Sequence, residues 1–149
     1  MRMADANIPI HAYSPESPSH LAAKAWFEAQ ISSGSRFALP WPVILAYVRI
    51  CSNPRATRTP VSIEGAWRTV ESWLAVPGVW IPAAGARHPE VLAGLLRVGG
   101  LNSNDVMDAH LAALAIEHGL VLCSTDTGFK RFPGLRYENP LDTAPPKVH

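Results

Sequence analysis

Apolar residues in this chain come in short blocks parted by proline, glycine and serine, and the blocks change rhythm from one to the next. Residues 1–6 make a short strand-like run that ends at Asp5. Ser17-Pro18 supplies an N-cap with proline at the first helical position. The helix it opens is predicted to reach about Ser33, with Leu21, Ala25 and Ile31 among its apolar positions and Gly34 as its stop. A second short strand spans 36–39. The next helix runs from Pro42 to about Cys51 and is closed by Asn53-Pro54. After the loop SNPRATRTP, Ser62 caps a helix through about Val76 that carries Trp67 and Trp73. Pro77-Gly78 turns the chain into the strand VWIP, and His88 opens a helix to about Val98.

The last third is the most regular. A helix over 105–118 ends at Gly119, the residue type that tolerates a left-handed cap. The run LVLCST follows at once, without polar alternation, as expected of a parallel strand buried on both faces. Asp126, a Thr127-Gly128 turn and a short strand near 135–138 complete the pattern. Alternation of helices and strands predicts an α/β fold, a three-layer α/β/α sandwich around a mostly parallel sheet. The domain is expected to occupy 1–141, and the closing residues 142–149, DTAPPKVH, to be a flexible tail.

Composition narrows the class. The chain has 149 residues, 48% hydrophobic and 17% charged, which is globular and sufficient for one core. A net charge of +1 requires any polyanion site to be a local patch. Cys51 and Cys123 form no disulfide framework and read as buried thiols. The acid at position 5 and the lack of a long apolar stretch argue against a signal peptide or a membrane span, so a cytoplasmic protein is expected.

Chemistry concentrates where the topology brings strand ends together. A helix joined to its strand by one or two residues runs back antiparallel to it, so the N-terminal tip of 105–118 lies level with the end of LVLCST. Asp126 sits just past that end. Asp5 emerges at the same edge if the first strand is central and parallel. Asp5, Asp108 and Asp126 are thus expected in one crevice, with Asp105, three residues before Asp108 and on the same helical face, as a possible fourth. Like charges ~4 Å apart repel by about 4 kcal/mol at an effective dielectric near 20, whereas a helix end returns about 0.3–1 kcal/mol. Such a cluster calls for a cation, and an all-oxygen donor set without paired Cys or His favours Mg²⁺ or Mn²⁺. Asp105 has a plainer alternative as a helix cap, and Asp5 and Asp126 as turn residues.

The ordered set Asp5-Ala6-Asn7, DAHLAALAIEHG from Asp108, and Ser124-Thr125-Asp126 followed by Phe129 resembles the PIN-domain ribonucleases, and more narrowly the VapC toxins of bacterial toxin–antitoxin pairs. LPWPVILAYVRICSNPR and FPGLRYENPL extend the likeness nearly end to end. The resemblance implies a Mg²⁺- or Mn²⁺-dependent endoribonuclease, homodimeric and restrained by a VapB-type antitoxin. In that role Asp5, Asp108 and Asp126 are metal ligands supported by Asn7 and the hydroxyls of Ser124 or Thr125. It also exposes a departure. Many PIN domains carry a glutamate on the helix after the second strand, and here that place falls at Ala46; Asp105 is the candidate replacement.

An RNA substrate needs phosphate partners. Arg49, Arg55 and Arg58 lie in or beside the loop after the second predicted helix, and Lys130 and Arg131 just past Asp126. His110 reads as a packing residue, and Trp26, Trp67 and Trp73 as core or dimer interface. Trp41, between Pro40 and Pro42, gives no reading. Two other functions stay open: a PIN domain reduced to an antitoxin- or RNA-binding module, and a protein whose aspartate accepts a phosphoryl group.

Overall fold

The computed structural model describes residues 1–142, so the expected tail lies, but for Asp142, outside the described residues. Five strands form one all-parallel sheet: β1 (Arg2–Ala4), β2 (Phe37–Ala38), β3 (Val79–Trp80), β4 (Val121–Cys123) and β5 (Arg136–Glu138), in the order β3-β2-β1-β4-β5. Six α-helices cover its faces: α1 (Asn7–Ala12), α2 (His20–Ser32), α3 (Trp41–Cys51), α4 (Ile63–Leu74), α5 (His88–Leu96) and α6 (Val106–His118). Among the described residues no helix is long and apolar enough to cross a membrane.

Strand alternation divides the core in two. Met3 and Ala38 point into one cluster with α5 and α6, whereas Ala4, Phe37 and Leu39 point into the other, with α1–α4. The three-layer sandwich follows from that division. On the first side, Ala109, Ala112, Ala113 and Ala115 are wholly buried, so α6 lies close against the sheet. Gly119, at φ 66°, ends α6, and the Leu120 N–H donates to the Ala115 carbonyl at 2.8 Å, turning the chain directly into β4. Helix α5 is fixed to α6 by buried His88, whose Nδ1 hydrogen-bonds Glu117 and whose Nε2 lies 3.0 Å from His110 Nδ1. His110 is thus a packing residue. Both cysteines are free and buried.

Three local expectations change. Helix α1 leaves no mark in the sequence pattern, because Pro9 falls in a six-residue segment; Pro9 sits in the first turn, where a missing N–H costs nothing. Helix α2 begins at His20 rather than Pro18, since Ser17 is used in a turn in which its Oγ accepts the Ser19 N–H. Its inward stripe is Ala23 and Phe27 with Ile31 behind, while Leu21 is exposed. Ser62 caps α4 as expected, accepting the Gly65 N–H at 2.9 Å.

Glycine is required at one turn for want of space. A Cβ on Gly78 would stand 2.4 Å from the Ser35 carbonyl oxygen, just where the Phe37 N–H donates to the Gly78 carbonyl and sets the β2–β3 register. Gly78→Ala is expected to destabilise the fold by about 1–3 kcal/mol, the usual cost of overpacking. Urea unfolding checks it, and an unchanged midpoint would refute the close approach.

Candidate metal centre

The sheet order reverses direction between β1 and β4, the place where open α/β sheets leave a crevice beyond their carboxyl ends. Asp5 and Ser124 are the first residues past those two strands. The Asp5 N–H donates to the Cys123 carbonyl at 2.9 Å, carrying the ladder one step beyond β1 and holding the two segments side by side.

Ser124 is fully buried and is the hub of the site. Its hydroxyl donates to Asp5 Oδ2 at 2.8 Å and accepts the Asp126 N–H at 3.0 Å and an Asn7 amide N–H at 3.1 Å. Asn7 Oδ1 in turn accepts the Thr125 N–H at 3.4 Å. Asp5 Oδ1 accepts the Ala6 N–H, and Asp126 Oδ1 accepts the Gly128 N–H, both at 2.8 Å. Tyr137 on β5 closes the back of the site by donating its hydroxyl to the Ser124 carbonyl at 2.9 Å. Nothing in the sequence marked that tyrosine, which looks like any aromatic strand residue.

The carboxyl groups fall into two electrostatic kinds. Burial pushes Asp5 above the ordinary carboxylate range against the hydrogen bonds from Ser124 and Ala6, and the nearby Asp126 charge adds to the rise. Asp108, at the tip of α6, is pushed up to about 6 by burial first and then by Asp5 and Asp126; Arg131 opposes the rise. Asp105 behaves in the opposite way. The Asn102 N–H and then Arg131 hold it below the usual range. Both of its oxygens are engaged, Oδ2 by the Asn102 N–H at 2.9 Å in a reciprocal cap of the turn 103–105, and Oδ1 by Arg131 Nη2 at 2.7 Å. The same guanidinium nitrogen stands 3.8 Å from Asp108 Oδ2.

A cleft of about 520 Å³ opens over this edge, lined by Asp5, Asp108 and Leu111 together with Trp41, Ala46 and Arg49 from α3. Ala46 therefore stands on the cleft wall and contributes no oxygen there. Of the expected cations, Arg49 lines the cleft and Arg131 is turned onto the acids. Arg55, Arg58 and Lys130 are exposed and line no part of it. The donor chemistry suits a hard divalent cation: the carboxyls of Asp5 and Asp108 are raised in part by neighbouring aspartate charge, and the acids offer oxygen donors without a cysteine or histidine among them. Among the described residues no three Asp, Glu, His or Cys side chains are gathered into a group that could hold a metal ion.

A parallel five-stranded sheet with Asp5, Asp108 and Asp126 around its switch point has clear relatives. The PIN domain matches residues 2–135. The chain belongs to the PIN-domain family. Within that family it is 35% identical to Ribonuclease VapC37 of Mycobacterium tuberculosis, an alignment covering 94% of this chain and 97% of that protein. It is 33% identical to Ribonuclease VapC33 of the same species, over 95% and 99% of the two chains. This PIN domain also shares its fold with VapBC2 from Rickettsia felis, solved on a promoter DNA fragment, at a TM-score of 0.66 and 18% identity over 93% of this chain and 97% of that one. FitAB bound to the IR36 DNA fragment gives 0.67 and 17%, over 95% and 96%.

Proposed function

We propose that this PIN domain is a VapC-type toxin, an endoribonuclease that hydrolyses phosphodiester bonds of structured cellular RNA with Mg²⁺ or Mn²⁺. The observation that carries the reading is the electrostatic coupling of Asp5 and Asp108 to each other's neighbourhood and to Asp126 around the β1/β4 switch point, which with burial raises the carboxyls of Asp5 and Asp108. These three would hold the cation, which when bound supplies an activated water and neutralises phosphate charge. Ser124 orients Asp5, and Asn7 orients Ser124. Arg49, which lines the cleft, and Arg131, beside Asp108, would meet RNA phosphates, with the exposed Lys130 and Arg55 as outer contacts. The proposal includes a homodimer working in the cytoplasm and a cognate VapB-type antitoxin as its restraint.

Asp105 has a different task in this reading. With both oxygens committed, it holds Arg131 in place rather than replacing the carboxylate missing at Ala46. Asp105→Asn is expected to leave the Mn²⁺ dependence of cleavage unchanged and to raise KM for RNA by no more than about fivefold, as for a partly exposed ion pair. A shifted Mn²⁺ midpoint would return Asp105 to the ligand set.

The decisive experiment incubates purified, antitoxin-free protein with total RNA in EDTA, Mg²⁺ or Mn²⁺, beside an Asp5→Ala control. Cleavage is expected with the metals alone and only in the wild type. Cleavage that persists in EDTA and in Asp5→Ala would sink the reading.

A further inference from the structure

The wall of the cleft contributed by α3 carries a feature that metal binding does not use. Trp41 and Trp67 stack nearly parallel, at an interplanar angle of 11° with centroids 6.4 Å apart, yet they remain 45% and 37% exposed. Trp73, by contrast, is only 3% exposed. Trp67 lies off the buried stripe of α4, which is Ala66, Val70 and Trp73. Trp41 is the first residue of α3, between Pro40 and Pro42, so its backbone is restrained before anything binds. Trp41, Leu45 and Arg49 follow one another at intervals of four on that helix, and all three line the cleft that holds Asp5 and Asp108.

We propose that Trp41, backed by Trp67, is a stacking platform for an unpaired nucleobase of the RNA substrate. This rests on the ribonuclease reading and deepens it, since it restricts the substrate to segments whose bases are free to leave a helix. The chemistry of the wall selects the ligand. A nucleotide brings a π face for the indole and a phosphate for Arg49, and α3 has no acid to repel it. An apolar protein segment laid on the same wall would cover Arg49, Asp5 and Asp108 and return no hydrogen bonds to them. The restrained backbone at Trp41 lowers the ordering cost of stacking.

Binding is read by fluorescence anisotropy of a labelled, mixed-sequence single-stranded oligoribonucleotide and of the same strand in a duplex. Both are titrated with full-length protein carrying Asp108→Asn to prevent cleavage. Adding Trp41→Ala is expected to weaken single-strand binding by about 5- to 150-fold, the range of one base–aromatic stack. Trp41→Phe should stay within about threefold, because it keeps a π face. Duplex binding should be insensitive to both, and melting curves should match. Unchanged single-strand affinity in Trp41→Ala overturns the platform, as does an equal loss on the duplex. If Trp41→Ala alters the oligomeric state in light scattering while RNA affinity holds, the indole pair is a protein interface and the proposal also fails. The readout needs no turnover, so failure of the platform and failure of the ribonuclease reading are separate results.

Discussion

Asp108→Asn is expected to abolish RNA cleavage and, in EDTA at pH 7, to melt at a higher temperature than the wild type. The two effects have one cause. Asp108 is raised to about 6 from an ordinary value of 3.8 by burial and by the charges of Asp5 and Asp126. The folded form therefore binds this proton more tightly than the unfolded chain does. The stability it contributes is fully present below pH ~4 and is lost as pH rises through about 6. At pH 7 the ionised group works against the fold. The side chain is 27% exposed and Arg131 lies 3.8 Å away, so solvent and counter-charge trim the effect to about 1–2 kcal/mol, or roughly 2–8 °C in Tm. An amide removes that penalty and also removes a ligand. Residues that only support ligands cost about 10- to 100-fold when lost, so cleavage should fall by more than about 100-fold. Thermal melts of both proteins at pH 4 and pH 7, with and without Mn²⁺, check the linkage. The difference should close at pH 4, and Mn²⁺ should raise the wild type more than the variant. A wild type more stable than Asp108→Asn at pH 7 in EDTA would contradict the electrostatic description of the site.

Helix α6 was legible from its sequence for a local reason. Two aspartates at the start of an alanine-rich helix ending in glycine specify both the close packing on the sheet and the direction of its polar tip. The strand run LVLCST was equally plain, because burial on both faces suppresses alternation. Pattern reading failed where local and tertiary signals compete. Pro9 hid α1, and Leu21 suggested a buried face for α2 that Ala23 and Phe27 take instead. Spacing placed Asp105 beside Asp108 correctly but could not show that Asn102 and Arg131 already occupy its oxygens. Asn102 belongs to the same capped turn, but Arg131 comes from the segment after β4, and no periodicity reports it. Trp41 was opaque for the same reason, since its meaning lies in a ring 26 residues away on α4 and in a cleft completed by α6.

Ser124 and Thr125 were indistinguishable in the sequence, and Ser124→Ala against Thr125→Ala separates them. The Ser124 hydroxyl serves Asp5, Asp126 and Asn7 at once, from a fully buried position. Its loss leaves Asp5 Oδ2 without its donor in a desolvated pocket, at a cost of about 1–3 kcal/mol. The Asp126 and Asn7 groups lie nearer solvent and recover part of their bonding from water. Thr125 enters the network through its backbone N–H, which alanine retains. Ser124→Ala should therefore lose about 10- to 100-fold in kcat/KM, as for a residue that orients a ligand, while Thr125→Ala stays near the wild type. Ser124 is also the strongest opposing influence on the burial that raises Asp5. Without it Asp5 rises further, and the acid limb of the pH–rate profile moves to higher pH. A lowered rate with an unmoved acid limb would mean that Ser124 supports the fold alone. Equal losses in the two alanine variants would mean that the donor to Asp5 has been assigned to the wrong hydroxyl.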